Sequence, residues 1–181
     1  ILIVPGGGIF ADAVRDERRR FGLDEATAHR MALLAMDQFG LLLSAHCPGS
    51  KALADLRAAR RLAADGRVPI LLPARLLDGE ARLERSFRLT SDSIAARVAG
   101  RIGAARLVLL KSVDGPGRPI SGRWEAESMG RRGLVDPLFA AFLPPAAETW
   151  IVNGQKPGAL ARLVRLRGTA RRPPAMAPRA G

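Results

Sequence analysis

The sequence contains no tyrosine and only one cysteine, Cys47, in 181 residues. A lone thiol excludes an intramolecular disulfide and fits a reducing compartment. Aromatic residues make up 4% of the chain, too few to furnish a stacking platform for single-stranded nucleic acid. No apolar run approaches the roughly 20 residues that a membrane-spanning helix needs. The opening "ILIV" is too short for a signal peptide, so a cytoplasmic location is expected. Lysine is scarce as well, with Lys51, Lys111 and Lys156 the whole supply.

What the chain does have is arginine. The formal net charge is +12, which invites a nucleic-acid reading. The arginines are scattered rather than clustered, however, and an Ala/Arg/Gly/Pro-rich composition follows from codon bias as readily as from a partner. The charge remains compatible with small phosphorylated molecules. With 48% apolar and 25% charged residues, the chain can bury a core and is most simply one domain.

The stretch "VPGGG", Val4 to Gly8, runs from an apolar strand into three consecutive glycines. Glycine loses the most freedom on ordering, so such a run implies either positive φ or a close approach of bare N–H groups to a ligand. The following "IFADAVRDERRR" has helical composition, and a strand, glycine loop and helix start point N–H groups at an anion. The spacing matches neither a P-loop nor a dinucleotide fingerprint, and a simple tight turn is an equal alternative for this stretch alone. If the loop cradles phosphate, Gly7→Val should abolish ligand binding and leave the fold mostly intact.

Further along, "LDEATAHRMALLAMDQFG" is expected to be a helix capped by Asp24 and stopped at Gly40, with its methionines in the core and His29 not catalytic. "SKALADLRAARRLAADG" is expected to be a third helix ended by Gly66, and "VPILLPARLL" a buried strand followed by a turn at Asp78-Gly79. "SDSIAARVAGRIGA" predicts a helix capped by Ser91 or Asp92, "RLVLLK" and "ETWIVNG" predict strands, and "GLVDPLFAAFLPPA" a broken helix. "KPGALARLVRLRG" predicts a last helix with Pro157 near its first position. The chain divides into a domain over 1–168 and a Pro/Arg-rich disordered tail over 169–181. Continuous apolar strands alternating with helices imply an α/β fold with a mostly parallel central sheet and helices on both faces.

Ligands in such folds gather at the carboxyl ends of strands. Four polar clusters fall there: Gly6-Gly7-Gly8, Thr90-Ser91-Asp92-Ser93, Lys111-Ser112-Val113-Asp114-Gly115 and Asn153-Gly154-Gln155-Lys156. A cap or a turn explains each one by itself. Their shared order, one after each strand, is harder to explain so.

In that order the motifs resemble the amino acid kinase superfamily. "PGGG" with "FADAVR" is similar to its glycine-rich substrate loop, "TSDSIAARVAG" to its Asp-bearing helix start, and "LVLLKSVDG" to its strand entering the nucleotide pocket. The sequence is most similar to the aminomethylfuranmethanol phosphate kinase branch of methanofuran biosynthesis, where "LLP", "VDP" and a late "VNG" also recur, and the likeness runs to about Gly168. The resemblance implies a three-layer α/β sandwich whose first family strand, with its Lys-x-Gly-Gly-Ser motif, is missing from this sequence. It implies an ATP- and Mg²⁺-dependent kinase forming a diphosphate from a small phosphorylated acceptor. Asp92 would organise the site. Gly6, Gly7, Gly8, Thr90 and Ser91 would bind acceptor, and Lys111, Ser112, Val113, Asp114, Gly115, Asn153, Gly154 and Lys156 would border ATP, with no protein metal ligands. The expected partners are ATP and the phosphorylated small molecule, in a homo-oligomer, with neither nucleic acid nor membrane. Two alternatives stay open: a family kinase acting on a carboxylate, carbamate or nucleotide, and a non-catalytic anion- or nucleotide-binding member.

Overall fold

The computed structural model describes residues 1–77, 86 and 88–165. The turn at Asp78-Gly79 and the tail after Gly168 lie outside these residues. The elements run α1 (Gly8–Phe21), α2 (Glu25–His46), β1 (Ser50–Leu53), α3 (Leu56–Ala64), β2 (Val68–Leu71), α4 (Pro73–Leu77), α5 (Ser91–Ile102), β3 (Arg106–Lys111), α6 (Arg123–Arg131), α7 (Phe139–Phe142), β4 (Glu148–Asn153) and α8 (Ala159–Arg165). Among the described residues, β1 pairs with β2 and β3 with β4, both in parallel. The helices between them cover these strands, as an α/β fold of parallel strands requires.

The opening "ILIV" contributes less than a full strand. It joins β2 through one parallel bridge between Ile3 and Ile70. The Ile3 N–H donates to the Pro69 carbonyl at 2.9 Å, and the Ile3 carbonyl accepts from Leu71 N–H at 2.8 Å. That short anchor fixes where the glycine loop leaves the sheet. Pro5 is buried, and the chain turns into α1 within three residues.

Several expected boundaries shift. α2 does not stop at Gly40 but continues through it to His46. A side chain at Gly40 would sit 3.0 Å from Leu72 Cδ2 and 3.2 Å from Pro5 Cγ, so the glycine marks a close approach of α2 to the β2 exit rather than a helix end. "SKAL" is a strand and not the start of α3, because Asp55 caps that helix by accepting from Ala58 N–H at 2.7 Å. "VPILLPARLL" is strand only as far as Leu71, then α4. α6 has no counterpart among the expected elements. α8 starts at Ala159, so Pro157 precedes the helix instead of opening it. Asp24 does cap α2 as expected, accepting from Thr27 N–H at 2.9 Å.

Among the described residues two larger apolar clusters and a small one of Ala11, Val14 and Ala35 build the interior, and α5 belongs to both of the larger ones. Its Ala96 and Ala99 pack with Leu107, Leu109, Ile151 and Phe139 around β3 and β4. Its Ile94 and Val98 pack with Leu33, Met36 and Leu71 around α2 and β2. The first turn of α5 therefore stands at the junction of the two halves, anchored on both sides. Among the described residues no helix is long and apolar enough to cross a membrane.

Candidate functional site

α5 begins without a side-chain cap from its own N-cap residue, Thr90, and neither Ser91 nor Asp92 takes that part. The cap comes from 46 residues downstream in the chain. Asp136 Oδ2 accepts from Thr90 N–H at 3.1 Å, Thr90 Oγ1 at 2.9 Å and Ser93 N–H at 2.9 Å. Its Oδ1 accepts from Ser93 Oγ and from Leu138 N–H. Asp136 is 7% exposed, and this set of donors is what allows a carboxylate to stay buried at a helix N-terminus.

With the capping done by Asp136, Asp92 is released for another task. Its Oδ2 takes the Lys111 ammonium at 2.6 Å and the Asp136 N–H at 3.2 Å. Burial pushes the Asp92 carboxyl above its ordinary range, and the hydrogen bond and charge of Lys111 offset part of that shift. Asp136, equally buried, caps the helix without a described ion pair, whereas Asp92 holds a cation.

Lys111, the last residue of β3, ties the two sides of the site together. Its side chain reaches Asp92, and its carbonyl accepts from Gly154 N–H at 2.8 Å. Beyond Gly154, Asp114 accepts from Asn153 Nδ2 at 3.1 Å and from Lys156 Nζ at 2.7 Å. Those two hydrogen bonds, Lys156 first, hold the Asp114 carboxyl below its ordinary range. Ser112 and Val113 are exposed on the loop between, and neither joins this hydrogen-bonded group. Gly115 is there for space: a Cβ would lie 2.2 Å from the Ile151 carbonyl oxygen. Gly115→Ala is therefore expected to lower stability by about 1–3 kcal/mol, because backbone cannot yield as a flexible side chain does; thermal unfolding measures it.

On the other side of Asp92 lies the glycine loop. Gly8 has φ +51°, a conformation that favours glycine. The N-cap of α1 is Gly7, which has no side chain to cap it with, leaving first-turn amides to a ligand or water. A Cβ on Gly6 would lie 3.7 Å from Ser91 Oγ, so the loop and the α5 start face each other at contact distance. A cleft lined by Gly7, Thr90 and Ser91 opens there. The expected Gly7→Val experiment is not clean, since a Cβ at Gly7 would sit 2.3 Å from Ala11 Cβ and displace the start of α1. Gly6→Ala is the better probe of the loop.

The sequence pointed to Asp92, Lys111 and the loops but missed Asp136. "VDP" carries no local sign that its carboxylate caps a helix 45 residues earlier. Arg15, to which the sequence reading gave no role, and His29, which it took as not catalytic, both line the same cleft.

The family model described as the amino acid kinase family matches residues 1–115. A (5-(aminomethyl)furan-3-yl)methyl phosphate kinase of Methanocaldococcus jannaschii is 28% identical over 163 residues, covering 87% of this chain and 75% of that protein. The crystal structure of uridylate kinase from Archaeoglobus fulgidus superimposes with a TM-score of 0.63 at 22% identity, over 84% of this chain and 75% of that one, a likeness of fold. The glycine loop, the Asp-bearing start of α5 and the β3 exit all fall inside the matched stretch, and with them the chain belongs to the amino acid kinase family.

Proposed function

We propose that the protein is an ATP-dependent kinase that converts (5-(aminomethyl)furan-3-yl)methyl phosphate into its diphosphate, a step of methanofuran-type cofactor biosynthesis in the cytoplasm. The observation that carries this reading is the double attachment of Lys111. Its ammonium is fixed by Asp92 beside the cleft of Gly7, Thr90 and Ser91, and its carbonyl is fixed by Gly154 beside the Asp114–Asn153–Lys156 group. One lysine thus stands between an acceptor side and a nucleotide side. The similarity to the methanofuran-branch kinase over 87% of the chain supports the choice of acceptor.

In this reading a phosphate oxygen of the acceptor attacks the γ-phosphorus of ATP. A new P–O bond forms, the bond to ADP breaks, and the chain supplies positioning and positive charge rather than covalent chemistry. The amides of Gly6, Gly7 and Gly8 cradle the phosphoryl group in flight, and Thr90 and Ser91 hold the acceptor. Lys111 neutralises the equatorial oxygens. Asp92 keeps the ammonium aimed, and like charge near phosphates is tolerable only because of that pairing. Ser112, Val113, Asp114, Gly115, Asn153, Gly154 and Lys156 border ATP. Among the described residues no group of three His, Cys, Asp or Glu side chains is built for a metal. Mg²⁺ arriving as the ATP complex needs none, because phosphate and water complete its shell. ADP release should require the ring phosphate and ATP together. Comparable turnover with acetate, carbamate or uridine monophosphate in its place would move the reading to another acceptor.

Asp92→Asn separates the organising role from a structural one. The amide keeps an oxygen for Asp136 N–H but loses the charge that holds Lys111. Turnover is expected to fall by at least about tenfold. Melting should stay near normal, because the buried charge that is removed was itself costly. The sign of the pH effect follows from the raised pKa of Asp92. Its contribution to stability is fully present below the unfolded value and is lost as pH rises through the folded one. The difference in melting temperature between Asp92→Asn and the parent should therefore move in favour of the variant as pH climbs across that interval. A parent-like turnover would reduce Asp92 to a structural residue.

A further inference from the structure

The turn of α2 from Met36 to Gly40 meets several parts of the acceptor side at once. Met36 lines the cleft. A Cβ on Gly8 of the glycine loop would lie 3.1 Å from the Phe39 ring, and one on Gly40 would lie 3.2 Å from Pro5 Cγ, at the entry to that loop. Asp37, half-buried in the same turn, reaches another element: its Oδ1 accepts from Ala74 N–H at 3.0 Å, at the start of α4. Pro73 opens α4 and has no N–H, so Ala74 supplies the first amide of that helix. Leu72, the residue before, has no side-chain acceptor to offer it.

α4 and α5 are therefore both capped by an aspartate from outside the helix, Asp37 for the one and Asp136 for the other. In the chain, the two helices bracket the stretch that ends in Leu89, Thr90 and Ser91 at the cleft. Ala74 and Leu77 of α4 share an apolar cluster with Leu33, Met36, Leu89 and Ile94, four apolar side chains that line the cleft. Burial pushes the Asp37 carboxyl above its ordinary range, and the Ala74 N–H and the Arg30 charge offset part of that shift. An apolar side chain would sit there without that cost, so what the carboxylate contributes is its hold on α4.

We propose that Asp37 is a positioning residue for the acceptor: it ties α4 to the α2 turn that packs on the glycine loop, and so fixes the shape of the cleft that the acceptor enters. This rests on the kinase reading above and goes beyond it, giving a role to a residue outside the cleft lining. The hydrogen bond joins α2 to α4, whereas Lys111, Asp114, Asn153 and Lys156 stand on β3, β4 and the loops after them. Asp37 therefore acts on one substrate and not the other: the acceptor depends on it, and ATP does not.

The test uses the full chain, Asp37→Ala and Asp37→Asn, with (5-(aminomethyl)furan-3-yl)methyl phosphate as the probe. Binding is followed by calorimetry and turnover by ADP release. Asp37→Ala leaves the Ala74 N–H without its acceptor. It is expected to raise the KM and Kd for the ring phosphate by about tenfold or more, as small misplacements remote from the chemistry do, with the KM for ATP and the kcat at saturating acceptor close to the parent's. Asp37→Asn keeps an amide oxygen within reach of Ala74 N–H and should restore the acceptor constants. In the parent, hydrogen exchange at the Ala74 amide should slow when the ring phosphate binds and not when ATP binds, because coupling between two sites is reciprocal. That measurement decides the matter even if Asp37→Ala fails to fold. Acceptor constants unchanged in Asp37→Ala, or raised equally for acceptor and ATP, would overturn the proposal, and so would Ala74 exchange that ignores the ring phosphate. The two readings fail separately. A parent that binds the ring phosphate, more weakly as Asp37→Ala, but never releases ADP sinks the kinase reading and keeps this one. A parent that releases ADP with the ring phosphate, and that Asp37→Ala matches in every constant, does the reverse.

Discussion

Lys111→Met is expected to cut kcat by about a hundredfold or more while the protein still folds and still binds ATP. Methionine keeps the length and the apolar stem of the side chain and removes only the ammonium. The backbone bond from Gly154 N–H to the Lys111 carbonyl survives, so β3 and its pairing with β4 are not the casualty. What is lost is the cation that Asp92 holds at 2.6 Å. Asp92 then stays buried without its partner, and a modest drop in melting temperature should accompany the loss of turnover. The double variant Lys111→Met with Asp92→Asn should recover that stability and none of the activity. Such a split is the mark of a pair that acts together. Lys111→Arg, which keeps the charge but changes its shape, should retain more activity than Lys111→Met and less than the parent. Steady-state kinetics with saturating acceptor, alongside thermal unfolding, distinguishes all of these.

The largest effect on stability is expected from Asp136→Ala. The carboxylate accepts from Thr90 N–H, Thr90 Oγ1, Ser93 N–H, Ser93 Oγ and Leu138 N–H. Removing it strands donors at the start of α5, the helix shared by the two larger apolar clusters. Stranded buried donors cost about 1–3 kcal/mol each. Some will find water, so a total near 3 kcal/mol is expected, which lowers the melting temperature by about 10 °C for a domain of this size. Asp136→Asn keeps the shape but turns one acceptor oxygen into a donor that faces other donors, so it should recover less than half of the loss. Activity should fall with either change, since the lost side-chain bonds are what hold the residue 136 backbone, whose N–H donates to Asp92, against the start of α5. A stable Asp136→Ala protein would mean that α5 finds another cap.

Much of the fold was legible because the signals are local. Asp24 announces the start of α2, and the apolar runs of "RLVLLK" and "ETWIVNG" announce β3 and β4. The misread boundaries have non-local causes. Gly40 reads as a helix stop, but its lack of a side chain serves Leu72 and Pro5 across the interior. "SKAL" is too short to show a period, and it becomes a strand because β2 is there to pair with it. The site divides in the same way. Asp92, Lys111 and the glycine loop stand out as polar or flexible residues at strand exits. Asp136 works through contacts more than forty residues away, and His29 sits on a helix whose apolar period marks it as core. Nothing within a few residues of either position reveals the cleft or the cap.

The proposed reaction passes a phosphoryl group from ATP to a phosphate already on the acceptor. Phosphorus NMR of a reaction containing the protein, Mg²⁺, ATP and (5-(aminomethyl)furan-3-yl)methyl phosphate tests it most directly. The monoester signal is expected to decay as ADP forms, replaced by two mutually coupled diphosphate signals, and neither change should occur with Lys111→Met over the same time. ADP appearing together with free inorganic phosphate, while the monoester signal stays constant, would contradict it.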